Sequence, residues 1–253
     1  MVALLDMANR PSAQTYWRAR ANALQQLGLL LAPAEPHQAA RLDEATTAAL
    51  LPLARAAQAW VRTGALRVLG QSRDPLHAEL YIASLSDSSD RVVNAAAIAL
   101  GRSASPKAFA ALLALPAKPS WKNQSLISAL NGLKELGDPR GVDLATQAIS
   151  DLNSARWTLA TPVWDFRLAA ADTLVALGGA PAVVPMLLER FDKALAEGDV
   201  NDQFSNLLLL VTLGDPRTER ALAALKQRYA DDPNAMQAIT GYEQQLADKR
   251  KPR

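Results

Sequence analysis

The 253-residue sequence predicts an all-α fold in which short helices stack as a solenoid. Three observations carry that prediction. First, a Leu-Gly pair closes an apolar stretch six times: Leu27-Gly28, Leu69-Gly70, Leu100-Gly101, Leu136-Gly137, Leu177-Gly178 and Leu213-Gly214. The glycines lie 42, 31, 36, 41 and 36 residues apart, a period that suits two-helix units packing only on their neighbours. Second, the residues four before each leucine (Ala23, Ala65, Ala96, Gly132, Thr173, Leu209) are mostly small, and those three before it (Leu24, Leu66, Ala97, Leu133, Leu174, Leu210) are apolar. Offsets of three, four and seven share one helical face, so they mark a buried stripe with room for a close neighbour. Third, helix-start signals follow the glycines: Asp74-Pro75, Ser105-Pro106, Asp138-Pro139, Ala180-Pro181 and Asp215-Pro216. Asp or Ser caps free N–H groups, and proline suits the first turn. Each glycine is expected at the helix C′ position, in left-handed backbone.

Taken in order, residues 1–11 read as the end of a preceding repeat, because a leucine pair and an acidic turn come before the first full helix. An array that opens in mid-repeat points to a larger parent protein. The first unit spans 12–58, with one helix at 12–28, a loop carrying Pro33 and Pro36, and a second helix at 39–57 kinked by Pro52. Further units occupy 59–89, 90–120, 121–150, 165–200 and 201–232, with Pro185 placed like Pro52 in a later second helix. Residues 151–164 interrupt the period as an insertion. Residues 233–248 read as a capping helix that buries Met236, Ile239, Tyr242 and Leu246, and 249–253 as a solvated basic tail. The whole of 1–253 is thus expected to be a single array.

Trp60-Val61-Arg62 with Ala65-Leu66 and Leu69-Gly70 resembles the HEAT-repeat signature, in the bacterial form of the phycobilisome lyases. Asp90-Arg91-Val92-Val93 with Ala95-Ala96 and Leu100-Gly101 repeats it, with Val93 where arginine is usual. Trp17-Arg18-Ala19-Arg20 and Asp165-Phe166-Arg167 repeat it at altered spacing. The resemblance covers nearly the whole chain. It implies a right-handed α-α superhelix of HEAT/armadillo-like type with about six helical pairs, and it is almost silent about function. The string Gly132–Gly141, continued through Trp164–Arg167 to Val200-Asn201-Asp202, resembles the C-terminal helical region of bacterial zinc aminopeptidases of the aminopeptidase N type. That similarity implies a parent peptidase whose chemistry lies in an upstream domain. It transfers no catalytic residue here, because no His-Glu-x-x-His is present.

Composition excludes several chemistries. Cysteine is absent, so no disulfide framework or thiolate metal site exists. His37 and His77 are far apart in sequence, and no Gly-x-Ser-x-Gly elbow or phosphate loop is present. No catalytic residue, cofactor or metal is therefore expected. Lys plus Arg number 27 against 25 Asp plus Glu, which argues against nucleic acid as the partner, since phosphate binding needs concentrated positive charge. No apolar run approaches the ~20 residues of a membrane span, and residues 1–6 do not form a signal peptide. The compartment stays open between bacterial cytoplasm and periplasm.

The expected function is a non-catalytic protein-interaction or structural module, most specifically the C-terminal domain of a zinc aminopeptidase. The alternatives are a stand-alone scaffold, a HEAT-like lyase subunit and a HEAT-like DNA alkylpurine glycosylase. Partner contacts are expected at Arg156, Trp157 and Trp164, hot-spot residue types in the insertion. His77, Tyr81, Asp143, Gln147 and Arg220, together with Arg190 and Lys226, are expected on second helices facing a concave surface. Trp17 and Trp60 are expected to pack between repeats.

Overall fold

The computed structural model describes residues 1–9, 17–33, 35, 38–118, 120–150 and 164–251. Among them are α-helices only, with short 3-10 turns and no strand. The helices are α1 (Val2–Asn9), α2 (Trp17–Leu30), α3 (Glu44–Leu53), α4 (Ala59–Gln71), α5 (Ala78–Ser84), α6 (Asp90–Ser103), α7 (Ala108–Ala114), α8 (Gln124–Leu136), α9 (Val142–Ser150), α10 (Trp164–Leu177), α11 (Ala180–Glu197), α12 (Val200–Leu213), α13 (Thr218–Arg228) and α14 (Pro233–Lys249). They form two compact units, Met1–Asp138 and Pro139–Arg253.

The periodic stripe is the core. All residues three and four before the repeated leucines are buried, as are Leu27, Leu69, Leu100 and Leu213, while Leu136 and Leu177 are half-buried. In the first unit, α2, α4, α6 and α8 stack successively, with α3, α5 and α7 on the other side of the Leu-Gly helices. Glycine and alanine set the spacing of the stack. A Cβ on Gly70 would lie 2.7 Å from the Cβ of Ala99, and one on Gly101 would lie 2.1 Å from the carbonyl oxygen of Gly132.

These contacts correct the expected role of the glycines. Gly137, Gly178 and Gly214 do end helices in left-handed backbone, at φ of 73°, 77° and 72°. Gly28, Gly70 and Gly101 instead lie inside helices. After α4 and α6 the left-handed position falls three residues later, on Arg73 (φ 54°) and Ala104 (φ 49°). Close helix approach fixes Gly70 and Gly101, so the helix runs past them.

Arginines tie the layers together. Arg20 Nε donates to the Ala8 carbonyl at 2.8 Å, and Arg62 donates to the carbonyls of Ala56 and Ala57 at 2.8 and 2.9 Å. Arg20 thus satisfies a free carbonyl at the end of α1, and Arg62 two carbonyls of the turn between α3 and α4. Arg62 also grips Asp87 through two bonds of 2.8 Å, spanning one repeat. Burial opposes ionisation of Asp87, but the bonds from Arg62 and the Ser89 N–H outweigh it and hold the carboxyl below its ordinary range.

The second helices are shorter than the sequence suggests. The helix read at 39–57 is only α3, capped by the Asp43 carboxylate on the Thr46 N–H at 2.6 Å. Pro52 and Pro185 sit inside α3 and α11 at exposed positions. In the second unit, α11 packs on α12, α10 on α9 and α12, and α14 on α12 and α13. There α14 buries Ile239 and Leu246, with Met236 and Tyr242 half-buried. No described helix is long and apolar enough to cross a membrane.

Candidate interaction surfaces

The sequence-predicted contacts divide sharply. Arg156 and Trp157 lie outside the described residues, as do His37 and the expected insertion up to residue 163, and Trp164 is the first residue of α10. Asp143 and Gln147 stand one turn apart on α9, both exposed. Arg220 is exposed on α13, and its guanidinium meets Asp192 of α11 at 2.6 Å. Beside that pair a groove of about 530 Å³ runs between α11 and α13.

Other expected contacts are buried or held by neighbouring elements. Tyr81 is fully buried on α5, so it cannot belong to an exposed contact face. Its hydroxyl has no partner, and burial, with Asp74 adding to it, pushes the phenol far above its ordinary range. His77 ends a 3-10 turn, Pro75–His77, with its ring edge-on to Tyr81 at 6.4 Å and Nε2 4.0 Å from Asp74. Arg190 donates to the carbonyls of Ile149 and Ser150 at 3.0 and 2.7 Å, closing the end of α9. Lys226 is paired with Glu243 of α14 at 2.6 Å. Of these residues only Tyr81 is removed from a contact face by burial, because α5 packs on α6.

The face of α2 and α4 supplies what the sequence reading assigned to packing. Trp60 is 45% exposed, with the Arg91 guanidinium of α6 4.1 Å above its ring. Trp17 is half-buried, with the Arg18 guanidinium 5.3 Å from its ring. Between the two helices lies a groove of about 560 Å³, lined by both tryptophans, Arg18, Thr63, Arg67 and Gln71 among others. Gly64 holds its walls together, since a Cβ there would lie 2.8 Å from that of Leu24. On α4 the residues 60, 63, 64, 67 and 71 form one stripe, a signal readable in the sequence but hidden behind the stronger Leu-Gly register.

Across the same layer, Asn131 Nδ2 donates to Asn94 Oδ1 at 3.0 Å, and Arg102 makes a two-bond pair with Glu135 at 3.0 and 3.1 Å. Burial opposes ionisation of Glu135. The Arg102 bonds, with the charges of Arg102, Arg73 and Lys134, outweigh it and keep the carboxyl below its ordinary range. No group of His, Asp and Glu among the described residues could hold a metal ion.

Residues 47–131 match the family model for HEAT repeats. The fold is a HEAT-type helical-repeat solenoid. Among solved structures, the complex of CpcE and CpcF of phycocyanin lyase from Nostoc sp. PCC7120 is similar at 19% identity and a TM-score of 0.50, over 95% of this chain and 92% of that one. Importin beta is similar at 14% identity and a TM-score of 0.50, over 93% of this chain but 32% of importin beta. At these identities the likeness concerns the fold alone. No curated protein sequence matches the chain.

Proposed function

We propose that this chain is a non-catalytic protein-binding module whose partner is a protein. The observation that carries the reading is the exposed stripe of Trp60 and Arg67 beside Trp17 and Arg18, on a helical stack fixed from within by glycine contacts and arginine bridges. Aromatic and arginine side chains on a rigid scaffold are the residue types that dominate protein interfaces. The balance of 27 basic against 25 acidic residues disfavours nucleic acid. Support also comes from the structural neighbour CpcE–CpcF, itself a complex of two chains.

The narrower form of this reading rests on the resemblance of 132–141, 164–167 and 200–202 to the C-terminal region of zinc aminopeptidases. In that form the partner is a peptidase domain of the same parent. The second reading, a subunit of a two-chain lyase, is favoured by the near end-to-end likeness to CpcE–CpcF. The test is direct titration of the purified chain with a peptidase domain from its own reading frame or with a related helical-repeat chain. Duplex DNA and aminoacyl p-nitroanilides serve as controls at 150 mM salt. Saturable binding to one protein, with no DNA binding and no turnover, is expected. Hydrolysis by the chain alone, or submicromolar DNA binding at that salt, would overturn the reading.

A further inference from the structure

We infer that the groove between α2 and α4 is a binding site for a short acidic peptide segment of the partner protein; this rests on the reading of the chain as a protein-binding module. Two buried polar atoms point into the argument. Thr63 is only 3% exposed, and its Oγ1 has no hydrogen-bond partner. Gln71 donates through Nε2 to the Gly28 carbonyl at 2.9 Å, which fixes the amide and leaves its buried Oε1 without a donor. Unsatisfied buried groups are rare in folded chains and costly where they occur, and this pair lies in the walls of one groove.

The charged residues lining the groove are Arg18 and Arg67, and no Asp or Glu among the described residues lines it. Both guanidiniums are without an ion pair among the described residues, and arginine presents a fork that fits a carboxylate. Trp17 and Trp60 add apolar faces to the rim. An extended acidic peptide fits this lining. Its Asp or Glu side chains meet the arginines, and an intervening aliphatic or proline side chain packs between the indoles. The volume of about 560 Å³ falls within the ~300–1,000 Å³ of ligand sites and suits a few residues of such a segment. A basic peptide would face two cations with no counter-charge.

The test uses the full chain and an array of acetylated, amidated hexapeptides in which charge and central side chain vary. The best acidic binder and its charge-reversed counterpart are then titrated by tryptophan fluorescence at 150 mM salt. Acidic hexapeptides are expected to bind with a Kd below about 100 µM, and the charge-reversed peptide not at all. Arg67→Gln and Trp60→Ala should each weaken binding about tenfold. Arg67 is exposed and Arg67→Gln should keep the parent melting temperature; Trp60→Ala loses the Arg91 stack and is titrated at a temperature where circular dichroism shows it fully folded. Thr63→Val should bind like the parent without lowering the melting temperature, because it removes a buried hydroxyl that has no partner. Arg220→Gln, on the second unit, should bind like the parent. The assignment is overturned if no acidic hexapeptide binds, if Arg67→Gln and Trp60→Ala bind unchanged, or if glutarate competes as well as the peptide. A protein partner bound equally by the parent and by Arg67→Gln would sink this site while leaving the protein-binding reading intact.

Discussion

Replacing Gly101 with alanine puts two effects of opposite sign in competition. Alanine in a helix interior is favoured over glycine by about 1 kcal/mol, so an unobstructed site would be stabilised. Here the added Cβ would lie 2.1 Å from the Gly132 carbonyl oxygen and 3.1 Å from the Leu136 nitrogen, against 3.4 Å for an ordinary contact. The obstacle is backbone, so α6 and α8 must separate by about 1.3 Å. Overpacking of this kind costs about 1–3 kcal/mol, and a main-chain obstacle places it at the upper end. The net expectation is a loss of about 2 kcal/mol after the propensity gain is subtracted. Urea titration followed by far-UV circular dichroism measures it, with Gly137→Ala as the comparison. Gly137 has open space around its Cβ position and should lose only about 1 kcal/mol to left-handed strain. A Gly101→Ala variant as stable as the parent would refute the helix-contact role assigned to this glycine.

Ala104 occupies left-handed backbone at an exposed position, so Ala104→Gly should raise stability by about 1 kcal/mol in the same titration; a loss would count against this end for α6. Tyr81→Phe removes a buried hydroxyl that has no partner and should leave the melting temperature equal or higher, whereas a fall worth more than about 1 kcal/mol would reveal a bond to that oxygen. Glu135 is held below its ordinary range in the folded state, so its stabilisation is present at neutral pH and lost as pH falls through that lowered value. The unfolding free energy of Glu135→Gln from urea titration should trail the parent's by up to about 1 kcal/mol at neutral pH, with the gap closing between about pH 5 and 3; a gap constant with pH would show that the charge is not what Arg102 and Arg73 hold.

The stacking register was legible because offsets of three and four from each leucine are a local property of the helix. The burial of Leu24, Leu66, Leu133, Leu174 and Leu210 follows from it directly. What lay beyond the sequence was which helix a given residue meets. Gly70 and Gly137 look alike in sequence, yet one faces Ala99 and the other faces open space. Tyr81 and Asp143 both read as second-helix surface, but only the short α5, packed on α6, covers the tyrosine. Arg190 looked like a contact and is spent on the α9 carbonyls. Trp60, which pattern assigns to packing, is exposed beneath Arg91. Side-chain destinations across helices depend on rotation and helix length, and neither is encoded by a single repeat.

Hydrogen–deuterium exchange of the full chain, alone and saturated with its protein partner, tests the central claim most directly. The account predicts that the partner slows exchange in α2 and α4, including the turn of Thr63 and Arg67, while the chain turns over no substrate. Protection elsewhere with α2 and α4 unchanged would contradict the groove, and catalysis by the chain alone would contradict the module.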